Sequence, residues 1–345
     1  MRPLKPLPPQ LANVVTRQEG LVSAAQLDRL GVNASWRHRL VRQGRLTHVT
    51  HGVYDTDPVP PEQRPRDDLL DHLRRRPAWV GLLAGGPGST AVGLCALALY
   101  KVKGLPRTVR PEVVAPSGQW RQGRDGIVFR TLGNMMTGRL TGDFRIASVE
   151  DALALGVVQM CRDNAVAVMD DMLHTRTITA QGLARAHELA RGHRDVEVTH
   201  LWWQLGDGRS ESPLESAARL ACLDAGIPPD ALQLVVRDPD GTHLGRVDLA
   251  WRLPDGTWLL VEIDGADVHS TPQAVFRDRS RQNALASAGG SRLLRFTGRD
   301  IRGRMVTMLA ALLQQAGWSA GQYDDHGQPV TLSGPRTSPR LSFET

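Results

Sequence analysis

The spacing of apolar residues predicts short helices and a small hairpin over the first 55 residues. Ser23 and Asn33 stand directly before helical patterns and are predicted to cap them, while Gly20-Leu21-Val22 is predicted to be a break. Two short runs of strand-forming residues around His51-Gly52 then predict a hairpin. The predicted helices cover 11–17, 24–30 and 34–43, and the predicted strands cover 46–49 and 52–54.

Proline-rich and glycine-rich stretches divide the rest of the chain. Residues 55–66 contain four prolines and are predicted to be a linker, as are residues 205–212. Between 67 and 200 strand and helix patterns alternate, which predicts a mixed α/β domain without a strong chemical motif. The polar tail 319–345 is predicted to be disordered. In the middle domain, strands are predicted at 109–115 and 126–130 and helices at 147–156, 163–173 and 178–190.

Residues 208–317 are predicted to form a further domain built around a β-meander. A helix is expected over 212–225, and two turns separate three strands. With a first domain at 1–58 and a second at 67–200, the chain is predicted to be a multidomain α/β protein. The predicted strands of the last domain cover 232–237, 243–251, 258–263 and 292–296, and its later helices cover 270–288 and 300–315.

The second turn of the meander predicts which residues face each other. Pro254-Asp255-Gly256 suits a three-residue loop, so that the numbers of paired residues sum to 510. Asp248 then faces Glu262 on one face of the sheet, and Arg246 faces Asp264, a pair that also fits an ordinary cross-strand ion pair. Two opposed carboxylates repel each other unless a shared proton or a cation offsets the repulsion. The other face carries a predicted core of Val247, Leu249, Trp251, Leu259, Val261 and Ile263.

These acidic residues also have ordinary structural interpretations. Asp248 and Glu262 fit a solvated hairpin face, and a slip of one residue in the register would separate them. Glu215 fits a capping box with Ser212 at the start of its helix. His269 is by default a histidine of a surface loop. The sequence leaves both interpretations open.

The charge is distributed unevenly along the chain. Residues 1–60 carry eight Lys and Arg against four Asp and Glu, whereas residues 201–345 carry fifteen against seventeen. The basic first part indicates contact with a polyanion. Three helices followed by a hairpin are the arrangement of a winged helix-turn-helix, whose recognition helix enters the major groove of DNA. The candidate DNA contacts are Arg37, Arg39, Arg42, Arg45 and His48, although basic helices are often merely solvated.

Composition argues against several other classes of protein. The three cysteines lie far apart, without the CxxC spacing of a structural zinc site. The uncharged stretch 79–100 is interrupted by Gly85-Gly86-Pro87-Gly88, which argues against a membrane span. The first residues show no secretion signal, so the protein is predicted to be cytoplasmic. The last lysine is Lys103, so no later motif can use one.

Five sequence blocks follow one another in order within residues 208–317. The blocks are SPLE at 212–215, GRVDLAW at 245–251, VEIDG at 261–265, FRDRSRQNAL at 276–285 and RLLRFTGRDI at 292–301. Together they resemble an endonuclease domain of the type related to very-short-patch-repair nucleases, within the PD-(D/E)xK restriction-endonuclease-like superfamily. This resemblance implies an α/β domain with a central mixed sheet that hydrolyses DNA phosphodiesters with Mg²⁺, for which Mn²⁺ can substitute.

The resemblance implies a role for each matching residue. Asp248 and Glu262 correspond to the metal-binding acidic residues, and Glu215 corresponds to the helical Glu. Asp264 stands where the superfamily usually has a lysine that helps to activate water, and it is a candidate further ligand. Without that lysine, compensating charge or proton transfer is left to His269, Arg277 or Arg281, and a degenerate nuclease is an alternative. The family often has polar residues after the strand that carries the VEIDG block, and the residues at these positions here are His269, Arg277, Asp278 and Gln282.

Residues 11–55 are similar to the winged-helix domain of AbiEi-type antitoxins. Residues up to about 200, including FRIASVEDALAL, are more loosely similar to the second domain of those proteins. This similarity implies a transcriptional repressor, with a nucleotidyltransferase-like toxin encoded nearby as its partner. Two hypotheses follow: a DNA endonuclease with a DNA-binding first domain, or an antitoxin-like repressor with a weak or inactive nuclease-like domain. A homodimer is compatible with either, because paired half-sites match a protein two-fold axis.

Overall fold

The computed structural model of the chain contains two compact units. One is Met1–Pro213 and the other is Leu214–Thr345. Both combine helices with a mixed sheet, so the predicted α/β class is confirmed. The structure describes residues 6–57, 59–66, 68–116, 121–131, 136–193, 196–237, 241, 243–265 and 291–322.

The first unit begins with three short helices and a three-stranded antiparallel sheet. Its elements are α1 (Gln10–Arg17), β1 (Leu21–Ser23), α2 (Ala24–Arg29), α3 (Ala34–Arg42), β2 (Thr47–Thr50) and β3 (Val53–Asp55). The strands lie in the order β1-β3-β2. The predicted break at Gly20-Leu21-Val22 is wrong, because Leu21 and Val22 are buried and belong to β1, which pairs with β3.

Local hydrogen bonds explain where α2 and α3 begin. The Ser23 hydroxyl accepts from the Gln26 amide, and the Gln26 side chain accepts from the Ser23 amide, which completes a capping box. Asn33 accepts from the Trp36 amide at the start of α3. Both predicted caps are confirmed. The helices enclose a core of Leu11, Val22, Leu27, Val32, Leu40 and Leu46.

The proline-rich segment, for which the sequence predicts a linker, is held in place by Arg64. This buried side chain donates to Asp55 Oδ2 at 2.8 Å and to the Val59 carbonyl at 3.1 Å. Asp55 is also buried and accepts a second bond from Arg76, which lies on the next helix. These ion pairs join residues up to 21 positions apart and leave no signal in the local sequence pattern.

Replacing Arg64 with leucine is expected to destabilise the first unit by about 3 kcal/mol, because the buried Asp55 carboxylate loses a charged partner. Urea unfolding of the full chain measures the loss. Arg17 is exposed at the end of α1, and its replacement with leucine is expected to change stability by less than about 0.5 kcal/mol. Equal small losses in the two variants would contradict a stabilising role for the buried pair.

The remainder of the first unit packs helices on a five-stranded mixed sheet. Its elements are α4 (Leu69–Gly85), β4 (Thr90–Ala91), α5 (Gly93–Leu99), β5 (Glu112–Val114), β6 (Val128–Arg130), β7 (Thr137–Thr141), β8 (Phe144–Ala147), α6 (Val149–Val157), α7 (Arg162–His174) and α8 (Ala180–Ala190). The strands lie in the order β6-β5-β4-β8-β7. The sequence predicted β5, β6 and the last three helices. It missed β4, β7 and β8, because strands of two to five residues are too short for a clear period.

The uncharged stretch 79–100 is divided by a turn, as expected. Helix α4 ends at Gly85, and Gly86 has a φ of 87°, which suits glycine. Helix α5 begins at Gly93, later than the start near Ser89 that the sequence predicts. Among the residues that the structure describes, no helix is long and apolar enough to cross a membrane.

In the part of the second unit that the structure describes, two helices pack against a four-stranded mixed sheet. Its elements are α9 (Pro213–Asp224), β9 (Ala231–Arg237), β10 (His243–Arg252), β11 (Trp258–Asp264), β12 (Arg292–Thr297) and α10 (Arg304–Gln315). The predicted meander is confirmed as β9-β10-β11, and β12 adds a parallel strand beside β11. Five of the six predicted core residues pack with α9 and α10. The sixth, Val247, belongs to another buried cluster, with Ala250 and Leu260.

Candidate functional site

Two acidic side chains from different elements of the second unit meet at one amide group. Glu215 lies in the first turn of α9 and is 9% exposed, and Asp248 lies half-buried on β10. Gln233 on β9 donates from Nε2 to Glu215 Oε2 at 2.9 Å and to Asp248 Oδ1 at 3.3 Å. The partial positive charge of this amide therefore lies between two carboxylates that otherwise repel each other.

Gln233 has an unusual backbone conformation for a residue within a strand. Its φ of 53° lies in the left-handed region, which residues other than glycine rarely adopt. The residues on either side, Leu232 and Leu234, still pair with Leu249 and Val247 of β10. The distortion is thus confined to the residue whose side chain joins the two carboxylates, and the flanking ladder holds it in place.

The Asp248 carboxylate accepts hydrogen bonds at both oxygens. Its Oδ2 accepts from the Ile263 backbone amide at 2.7 Å. Burial raises the pKa of Asp248 to about 6, and the charge of Glu215 adds to this rise, whereas the bonds from Ile263 and Gln233 oppose it. A raised pKa means that the surroundings disfavour the charged carboxylate. A cation next to Asp248 would reverse that preference.

The predicted register between β10 and β11 is confirmed over four pairs, from Leu249–Val261 to Arg252–Trp258. The described pairs end there, one position before Asp248 and Glu262. Asp248 instead bonds the peptide group that joins Glu262 to the next residue. The direct opposition of the two carboxylates lies one position beyond the described pairs and stays a prediction.

Glu262 and Asp264 lie beside an arginine of the neighbouring strand. Glu262 is 6% exposed and is the register partner of Arg295 on β12, with Oε2 3.5 Å from Arg295 Nε. Arg295 also donates from Nε to Asp264 Oδ2 at 2.9 Å and from Nη2 to Asp264 Oδ1 at 2.6 Å. This two-bond contact gives Asp264 a partner on β12 that the sequence did not predict, and the pairing of Asp264 with Arg246 stays a prediction.

The capping-box interpretation of Glu215 does not describe its whole role. The helix begins at Pro213, which keeps Glu215 in the first turn as predicted. Its carboxylate nevertheless reaches a side chain on β9. A residue that serves only its own helix would not need this contact. The structure thus brings Glu215 and Asp248 to one shared donor, Gln233.

The predicted DNA contacts of the first unit differ in their accessibility. Arg37 is only 9% exposed, pairs with Asp28 and donates to the Val32 carbonyl at 2.8 Å. Its guanidinium joins α2 to α3, so Arg37 has a structural role in the helical core. The side chains of Arg39, Arg42 and His48 are exposed, and that of Arg45 is half-buried.

Five residues that the sequence analysis singles out lie outside the described part of the chain: His269, Arg277, Asp278, Arg281 and Gln282. Among the residues that are described, no group of three or more His, Cys, Asp or Glu side chains is placed to hold a metal ion. The case for a cation in this unit therefore depends on Glu215, Asp248 and the adjacent Glu262.

Sequence reasoning missed Gln233 and Arg295. Gln233 interrupts the otherwise apolar start of ALQLVVR, and this single amide is the local signal that could have drawn attention to it. Arg295 lies in RLLRF, where nothing local indicates its partner. Its contact with Glu262 and Asp264 depends on the parallel pairing of β11 with β12, which joins residues about 30 positions apart.

Replacing Gln233 with methionine is expected to destabilise the chain at pH 8 in EDTA by about 1–3 kcal/mol, because two carboxylates lose a shared donor. The loss should be smaller at pH 4.5, where Asp248 carries a proton. Chemical unfolding at the two pH values measures the difference. A loss of the same size at both values would indicate a packing defect instead of unrelieved repulsion between carboxylates.

Comparison with known proteins adds relatives but no activity. No family model matches the chain. It is similar to two curated proteins of Mycobacterium tuberculosis, "Uncharacterized protein MT2308" of strain CDC 1551 / Oshkosh and "Uncharacterized protein Rv2248" of strain ATCC 25618 / H37Rv. Each is 29% identical over 280 residues, which is 80% of this chain and 95% of the relative. Because 280 residues exceed the 213 residues of the first unit, the similarity extends into both units.

Proposed function

We propose that the chain is a DNA-binding protein whose second unit hydrolyses DNA phosphodiesters with Mg²⁺. The observation that carries this proposal is that Glu215 and Asp248 both accept a hydrogen bond from Gln233. Burial also disfavours the charged form of Asp248 and raises its pKa. Buried acidic groups with perturbed pKa values are typical of functional sites. Glu262, on the strand next to that of Asp248, adds a third carboxylate, and it is buried.

The donor set fits Mg²⁺ in its chemistry. Mg²⁺ prefers hard oxygen ligands and is usually held by one or two carboxylates together with water and substrate phosphate, so it does not require a cage of three protein ligands. Asp248 would be the central ligand, with Glu262 as the second and Glu215 assisting from α9. When bound, the cation would polarise the phosphate and lower the pKa of the attacking water.

The residues of this chain would have separate tasks in that reaction. Asp248 is oriented by the Ile263 amide and by Gln233, so its carboxylate needs little rearrangement. Glu215 is buried and close to Asp248, which suits a group that orients or deprotonates a water molecule. Asp264 is engaged by Arg295 and is therefore a weaker candidate for a metal ligand than the sequence suggests.

A cleavage assay on the full chain tests this function. Supercoiled plasmid, linear duplex and single-stranded DNA are incubated with Mg²⁺, Mn²⁺ or EDTA. We expect nicked or shortened products with either metal and intact DNA in EDTA. Cleavage that persists in EDTA would point to a contaminating or metal-independent nuclease. Intact DNA with every metal would favour the second candidate function.

The second candidate is a transcriptional repressor similar to AbiEi-type antitoxins. It is supported by the order of α1, β1, α2, α3 and the hairpin β2–β3, which fits a winged helix with an exposed basic face on its third helix. Under this hypothesis the chain, as a monomer or a homodimer, binds particular DNA sequences and does not cut them with any divalent metal. A neighbouring reading frame for a nucleotidyltransferase-like toxin would favour it.

A further inference from the structure

We propose that Arg295 supplies the positive charge that contacts the DNA phosphate at this site and that Asp264 aims it. The inference rests on the proposed nuclease function and extends it to a residue outside the predicted site. It also gives Asp264 a different task, because Asp264 becomes the hydrogen-bond acceptor that orients the Arg295 guanidinium.

The need for a cation follows from the charge of the site. Glu215, Asp248, Glu262 and Asp264 are all acidic, and a site made only of carboxylates repels a phosphodiester. Negative charge also builds on the phosphate during hydrolysis and has to be stabilised. The position two residues after Glu262 holds Asp264, so a positively charged side chain has to come from elsewhere in the chain. The charge of Arg246 on β10 acts on Asp248, whereas Arg295 lies beside Glu262 and Asp264.

The parallel strand β12 provides this cation. Arg295 is the register partner of Glu262, so both side chains lie on the same face of adjacent strands. Its two hydrogen bonds to Asp264 fix the plane of the guanidinium, while Nε stays 3.5 Å from Glu262. The positive charge is thus fixed in place beside two acidic residues of the candidate site.

The exposure of this contact also suits a substrate. The side chains of Arg295 and Asp264 are 33% and 30% exposed, whereas that of Glu262 is 8% exposed. The ion pair is therefore partly open to solvent at the edge of a buried acidic group. A backbone phosphate can approach the guanidinium from solvent without opening the core. Arginine suits this contact, because a guanidinium carries five N–H donors, more than the two that bond Asp264.

In the reaction, the oxygen of a water molecule forms a bond to phosphorus as the bond from phosphorus to one sugar oxygen breaks. One proton of the water passes to a basic group or to solvent, and the leaving oxygen takes up a proton and becomes a hydroxyl. Arg295 neither gains nor loses a proton, because a guanidinium stays protonated in proteins. Its contribution is electrostatic and is greatest when the phosphate carries the most negative charge.

Replacement of Arg295 with glutamine tests the proposal by two measurements. The rate of single-turnover cleavage, with the protein in saturating excess over DNA, should fall by about 10²–10³-fold. In Ca²⁺ without cleavage, the slope of log K against log salt for duplex binding should become shallower by about 0.9, because one phosphate contact is lost. Arg295→Lys keeps the charge but loses the paired donors, and we expect it to retain the slope and to recover part of the rate.

Arg292→Gln is the matched control. Arg292 lies on the same strand, is exposed and pairs with Leu259, away from the acidic residues. We expect its cleavage rate to stay within about twofold of the unchanged chain. We also expect its salt slope to stay unchanged, since no phosphate contact is removed.

The outcomes separate this inference from the proposed function. If the unchanged chain cuts DNA and Arg295→Gln cuts equally well with the same slope, Arg295 has no such task, whereas the nuclease proposal stands. A change of salt slope that appears only in Arg277→Gln or Arg281→Gln would likewise overturn the inference about Arg295 and leave the nuclease proposal standing. If the unchanged chain cuts nothing, the nuclease proposal fails, and the salt slope still tests the phosphate contact.

Discussion

Asparagine in place of Asp248 is expected to reduce Mg²⁺-dependent DNA cleavage by at least about 10²-fold. The substitution keeps the shape of the side chain and an oxygen that can accept from the Ile263 amide. It removes the charge that would hold the cation next to Glu215 and Glu262. Because little packing changes, a loss of activity would report on chemistry and would not reflect unfolding.

The same substitution is expected to stabilise the metal-free protein above pH 6. The pKa of Asp248 is about 6 in the folded chain against an ordinary value of 3.8, so the folded state binds more protons between these values. Stability conferred by the neutral form is therefore present at low pH and is lost as the pH rises from about 4 to 6. The asparagine side chain of the variant stays neutral throughout this range, so the variant should not show this loss.

Two measurements check these expectations for Asp248. Cleavage is followed with Mg²⁺ at pH 8, and unfolding midpoints are measured in EDTA at pH 4 and pH 8. Asp255 lies fully exposed in the turn between β10 and β11, and Asp255→Asn serves as the control, with unchanged cleavage expected. An Asp248→Asn protein that is well folded and fully active would rule out Asp248 as the central metal ligand.

Replacing both Arg39 and Arg42 with glutamine is expected to weaken binding to any duplex and to reduce the salt slope by about 2. Both side chains are exposed on α3, so each can neutralise one phosphate. The loss should be similar for different DNA sequences, because phosphate contacts carry no base information. Titration of labelled duplexes at several salt concentrations gives the slope.

A second double variant, Arg107→Gln with Arg176→Gln, removes the same charge from exposed positions of the first unit that do not belong to α3. Its salt slope is expected to match that of the unchanged chain. Equal slopes in the two double variants would mean that net charge, and not the surface of α3, accounts for DNA binding. Arg37→Gln should instead lower the unfolding midpoint, because its buried bonds join α2 to α3.

Local sequence patterns predicted much of the second unit. The turn Pro254-Asp255-Gly256 predicted the register of β10 and β11, because a short hairpin loop determines which residues pair. The alternation of apolar residues predicted the core face, apart from Val247, because alternate side chains of a strand lie on the same face of the sheet. Ser23 and Asn33 were predicted as caps, since a cap acts within three residues of its helix.

The sequence by itself thus determined the helices, hairpins and acidic candidates whose signals lie within a few residues. Only the tertiary structure decided which of these side chains have partners: it buried Arg37 and Arg64, placed Gln233 between Glu215 and Asp248, and brought Arg295 to Asp264. The physical reason is the range of the interactions. Caps and turns depend on neighbouring residues, whereas buried ion pairs and parallel strands depend on how distant segments pack.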